Sequence, residues 1–198
     1  LLAEAAVQGR GLVTQGDVVD ADVADRNFTE KNRADQFAGE FVFGAAGVRG
    51  NANLFSGATW LTRKVERDAM FSTPPTELTR PETYDALKAS KTKVIDAGDY
   101  DVFGDGTVVL KLAPGHTPGH QVLFVRLAKA GPVVVSGDLY HYTAERTTGK
   151  MPPREMTLGT PESRKKVEEF ITRTRSQLWL SHTIDWYRDA VKAPGWYD

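Results

Sequence analysis

Between residues 103 and 136 the chain sets three apolar runs between turn signals, and this spacing limits the fold more than any other feature. FGDG at 103–106 is a hairpin-type turn feeding a strand over 107–112. The loop 114–119, with two Pro and two Gly, leads into a partly alternating strand at 121–127, followed by the apolar run 132–136. Connections this short join antiparallel neighbours. Around this meander the pattern predicts a strand at 58–62, a short helix at 65–71, a Pro-marked loop at 74–81 and a helix at 82–90. A short strand at 93–95, a helix at 161–174 and a buried strand at 177–181 complete it. Strands interleaved with helices, several joined as hairpins, predict a layered α/β (α+β) domain.

The first 49 residues read differently. Residues 11–35 are polar and acidic with no sustained period, a short strand is expected at 40–43, and GAAG at 44–47 breaks it. A length of 198 residues predicts one domain over 1–198, with 1–49 divergent and 50–198 readable.

Composition narrows function by exclusion. Lys+Arg of 25 against Asp+Glu of 26 gives a net charge of -1, so no basic footprint for nucleic acid is present. The chain has no cysteine, so any metal must be held by His and carboxylates. That leaves cytosol and periplasm equally open. No apolar run approaches the ~20 residues that cross a bilayer, so no membrane partner is expected. The chain opens on Leu1 without Met or a secretion-signal pattern, which makes a fragment or a processed product the expectation.

All four histidines, His116, His120, His141 and His182, lie in the second half. APGHTPGH at 113–120 follows a strand, and its Pro and Gly residues restrict where the His116 ring can go, as a metal ligand requires. VVVSGD at 133–138 runs an apolar strand into Gly and then delivers Asp138. LWLSH at 178–182 is again a buried-type strand ending in His182. Taken singly, each has a plain structural reading: a hydrogen-bonded His, or a Gly-Asp turn. Taken together, three strand ends presenting His, Asp and His point to a metal site.

These residues resemble the metallo-β-lactamase superfamily, and within it the N-acyl homoserine lactonase-like hydrolases. The resemblance is carried by GNANLFSGATWLTRKVERDAMF at 50–71, DVFGDGTVVLKLAPGHTPGHQVLF at 101–124, GPVVVSGDLYHY at 131–142 and LWLSHTIDWYRDAVKAPGWYD at 178–198. It implies an αββα sandwich with its N-terminal part truncated or divergent, and a site holding one or two Zn2+ ions. By the same resemblance His116 would be a ligand of the first metal, Asp138 the bridging carboxylate and His182 a ligand of the second. Asp138, Tyr140 and His141 are then the expected catalytic residues, with His141 standing where such lactonases often carry a tyrosine. His120 would be a supporting residue. The implied reaction is hydrolysis of a lactone or related acyl ester by a metal-activated hydroxide, as in quorum quenching, with a small-molecule substrate and a homodimer left open.

One departure stands out. The superfamily places His-x-His-x-Asp-His just before the Gly-Asn that matches Gly50 and Asn51. Without gaps its ligand positions fall on Phe43, Ala45, Gly47 and Val48, none of which binds metal through its side chain. Reduced metal occupancy and impaired activity are therefore expected. The alternative is a catalytically degenerate member that serves as a binding or interaction module. The basic stretch Arg164, Lys165 and Lys166 reads as a solvated helix face.

Overall fold

The computed structural model describes residues 12–14, 41–43, 52–74, 79–183, 188–191 and 197. The chain expected as one domain clusters into two compact units, Leu1–Asp96 with Lys192–Tyr197 and Ala97–Val191 with Asp198.

The first unit carries a four-stranded sheet in which β1 (Leu12–Thr14), β2 (Phe41–Phe43), β3 (Thr59–Arg63) and β4 (Thr92–Ile95) run parallel in that order. A parallel strand is covered on both faces, and residues 60–63 of β3 are accordingly all buried. Helix α1 (Lys64–Met70) starts where β3 ends. Trp60, Met70, Tyr84 and Leu87 form an apolar cluster against Phe55 and Phe71. The helix expected at 82–90 is instead two 3-10 turns, Pro81–Thr83 and Asp85–Ala89. Tyr84 between them leaves helical geometry at φ -144°, because its buried ring aims the hydroxyl at the Met70 carbonyl, 2.8 Å away. The Asn53 amide holds both turns, donating to the Glu82 carbonyl and accepting from the Ala86 N–H. Of the expected motif positions, Phe43 ends β2. Ala45, Gly47 and Val48 lie outside the described residues.

The second unit holds the meander. Strands β5 (Tyr100–Asp101), β6 (Val108–Leu112), β7 (Gln121–Leu127) and β8 (Gly131–Val135) are antiparallel neighbours, and β9 (Gln177–Trp179) adds parallel to β8. In the FGDG turn the Asp101 carboxylate accepts the N–H groups of Gly104 and Gly106, both at positive φ. Three helices lie between β8 and β9: α2 (Thr143–Thr148), α3 (Pro153–Thr157) and α4 (Thr160–Thr174). Val109, Phe124 and Val134 are register partners across three strands, and they pack with Val167 and Ile171 of α4. That contact fixes β6, β7 and β8 against α4. Among the described residues no helix is long and apolar enough to cross a membrane.

Candidate metal centre

All of the candidate site lies in the second unit. After β6 the chain enters the 114–119 loop, closed by hydrogen bonds from Ala113 N–H to the His120 carbonyl and from Gly115 N–H to the Thr117 carbonyl. A side chain at Gly115 would place its Cβ 2.0 Å from Thr160 Oγ1 and 2.7 Å from the Thr160 backbone. Only glycine lets the loop lie this close to the start of α4. The Ser163 hydroxyl then ties it down through the Pro114 carbonyl at 2.6 Å.

This seating aims His116 between two carboxylates. Its Nδ1 lies 3.0 Å from Glu155 Oε1, and its Nε2 lies 3.5 Å from Asp138 Oδ2. Glu155, on α3, is 4% exposed, and Thr160 Oγ1 donates to its other oxygen at 3.4 Å. The Glu155 carboxylate thus stands behind Nδ1 while the opposite nitrogen, Nε2, faces Asp138, the usual outer support of a metal-binding imidazole.

Asp138 follows β8 through Gly137, whose φ of +50° turns the strand end. The Asp138 N–H donates to His120 Nε2 at 3.0 Å, while His120 Nδ1 donates to the Ala113 carbonyl at 3.0 Å. His120 is thus a buried brace between two strand ends. A Cβ on Gly137 would come within 2.9 Å of His120 Nε2. Gly137→Ala should therefore cost about 1–3 kcal/mol, combining strained backbone with a broken brace. A urea melt of the variant against the parent measures it.

The Asp138 carboxylate receives both remaining rings. Oδ1 lies 2.5 Å from His182 Nε2, and Oδ2 faces His116. Burial pushes the Asp138 carboxyl up, but the His182 hydrogen bond and the surrounding His116, His120 and His182 rings outweigh it and hold the group at about 2. The bond to Asp138 raises the His182 pKa against the opposing effect of burial. His116, Asp138 and His182, the three residues expected as metal ligands, are thus brought together.

The two expected catalytic neighbours separate. His141 joins the cluster: its ring stacks on His182 at 6.2 Å, and its Nε2 lies 3.7 Å from Glu155 Oε1. Its backbone N–H donates to Glu145 Oε2 at 3.1 Å. Tyr140 does not join. Its ring is buried in the core under the Arg164 guanidinium, 4.3 Å away, and its hydroxyl donates to Glu168 at 3.0 Å. Burial and the Glu168 carboxylate also raise the pKa of this hydroxyl. The expected solvated face needs the same revision: Lys165 and Lys166 are exposed, but Arg164 is buried.

Sequence reasoning missed Glu145 and Glu155. Both lie on short helices between 143 and 157, where no apolar period marks a buried face. The available signal was Pro152 and Pro153 followed by an acidic residue in the first turn, a helix-start pattern.

No protein-family model matches the chain. The N-acyl homoserine lactonase AttM of Azorhizobium caulinodans is 37% identical over 103 residues, which is 50% of this chain and 38% of that protein. An N-acyl homoserine lactonase of a Bacillus species is 34% identical over 106 residues, 52% of this chain and 40% of that protein. The chain thus matches well under half the length of these relatives. A quorum-quenching N-acyl homoserine lactone hydrolase superposes with a TM-score of 0.74 and 18% identity, over 97% of this chain and 82% of that one. An N-acyl homoserine lactone hydrolase with its product N-hexanoyl-L-homoserine at the catalytic metal center gives 0.68 and 21% over 83% and 63% of the two chains. A Thermotoga maritima protein assigned as a metallo-beta-lactamase gives 0.57 and 18% over 83% and 75%. The chain has the metallo-β-lactamase fold. Within that fold, the N-acyl homoserine lactonases are the branch that half of its sequence resembles.

Proposed function

We propose that this chain is a lactonase-like hydrolase that opens a lactone or related acyl ester, with zinc as its cofactor. The observation that carries this reading is the approach of His116 Nε2 and His182 Nε2 to opposite oxygens of Asp138. Two imidazole nitrogens and one carboxylate form a donor set suited to zinc, and three protein donors leave a tetrahedral position open for water or substrate. When bound, the cation would supply Lewis-acid activation of water and of the scissile carbonyl.

The chain's own residues do the rest. Glu155 keeps the proton of His116 on Nδ1, and His120 fixes the backbone of Asp138. His141, between Glu145 and Glu155, is the group that passes a proton to the departing oxygen. With non-ligands at Phe43, Ala45, Gly47 and Val48, affinity and turnover are proposed to fall below those of relatives carrying the full motif. The lactonases similar to this chain support the substrate class.

A thermal melt with and without zinc tests the metal half of this reading. A ligand at about 100 times its Kd stabilises the folded state by about 2.7 kcal/mol, so zinc should raise the midpoint by several degrees. An unchanged midpoint across millimolar zinc would remove it.

A further inference from the structure

We infer that the chain holds a second cation position, formed by His116 Nδ1, His141 and Glu155, which shares His116 with the first and is filled in its place. One donor atom from each of these three residues lies within 4.8 Å of the others. Glu155 Oε1 is 3.0 Å from His116 Nδ1 and 3.7 Å from His141 Nε2. Tetrahedral zinc with bonds of about 2.0–2.1 Å spaces its donors about 3.4 Å apart, so these separations bracket what the ion needs.

The donor count equals that of the first position: two imidazoles and one carboxylate in each. The outer support is as complete. With a cation at His116 Nδ1, the opposite nitrogen of that ring faces Asp138 Oδ2 at 3.5 Å. With a cation at His141 Nε2, the opposite nitrogen faces Glu145 Oε1 at 3.4 Å. That His141 Nδ1 is buried and makes no hydrogen bond among the described residues, so its proton is available for Glu145. Each ring therefore keeps a carboxylate behind it, the arrangement that orients metal-binding histidines.

A neutral imidazole has one lone pair, so His116 serves one position at a time. Occupying the second engages His141 and takes it out of the proposed proton transfer, while His182 stays on Asp138. This makes it a holding position beside the reactive one. The identity of the first position and the holding role rest on the proposed function; the second position itself stands on geometry.

Zinc titration calorimetry on the full chain and its variants tests the inference, with circular dichroism confirming that each variant folds. The parent chain should bind one zinc. His182→Ala should still bind one, within ~10-fold of the parent Kd, whereas His116→Ala and the double variant His182→Ala/Glu155→Gln should lose ~100-fold or more. Should the buried Glu155→Gln change prevent folding, His182→Ala/His141→Ala gives the same readout at a less buried residue. His182→Ala weakening zinc as much as His116→Ala, or the parent binding two zinc ions at once, would overturn the inference. A chain that binds zinc in this pattern yet opens no lactone refutes the hydrolytic reading and leaves this one standing.

Discussion

Replacing Arg164 by Met should destabilise the protein by about 3–5 kcal/mol, the range for removing one partner of a buried ion pair. Arg164 is 6% exposed and serves as the hub of the loop after β8. Its guanidinium donates to the Leu139 carbonyl at 2.9 Å, to the Lys150 carbonyl at 2.8 Å and to Glu145 Oε2 at 2.5 Å. The substitution strands the buried Glu145 carboxylate and leaves both carbonyls without this donor. The neighbouring exposed Lys165→Met should stay within about 0.5 kcal/mol. Adding Glu145→Gln to Arg164→Met should recover part of the loss, because the stranded group no longer carries a charge. Urea melts of the four chains measure all of this. An Arg164→Met chain as stable as the parent would show that the ion pair does not hold this loop.

His116→Ala should remove both zinc binding and hydrolysis. Its ring lies between Glu155 and Asp138, held there by a loop that only glycine at 115 permits. Losing an outer partner of a metal ligand typically costs 10–100-fold in metal affinity or activity, so losing the ligand itself should cost at least ~100-fold in kcat/KM. Stability should change little by comparison, since the His116 side chain is 31% exposed and outside the apolar cluster. Zinc content after purification and lactone turnover, measured with the same folded variant, check both halves.

How far the sequence revealed this depends on how local the governing physics is. The β6–β8 meander was legible because short turn signals and apolar runs set it within 34 residues, 103 to 136. The positions of His116, Asp138 and His182 at strand ends were legible for the same reason. Glu155 was not: its role comes from α3 meeting the 114–119 loop, and a glutamate in a polar stretch looks solvated until that contact exists. Tyr140 misled because nearness in sequence to Asp138 says nothing about direction, and its ring turned into the core toward Arg164 and Glu168. Arg164 misled in the opposite sense, as one basic residue of a cluster whose neighbours are exposed. At 82–90 a helical pattern gave way because one buried hydroxyl at Tyr84 found the Met70 carbonyl.

The hydrolytic reading reduces to whether a cation among His116, Asp138 and His182 opens an ester ring. Following proton release from N-hexanoyl homoserine lactone, with the chain zinc-loaded, then chelated, then reloaded, measures this directly. Turnover should stop with the chelator and return with zinc. A folded, zinc-loaded chain with no turnover, or a rate indifferent to the chelator, would contradict it.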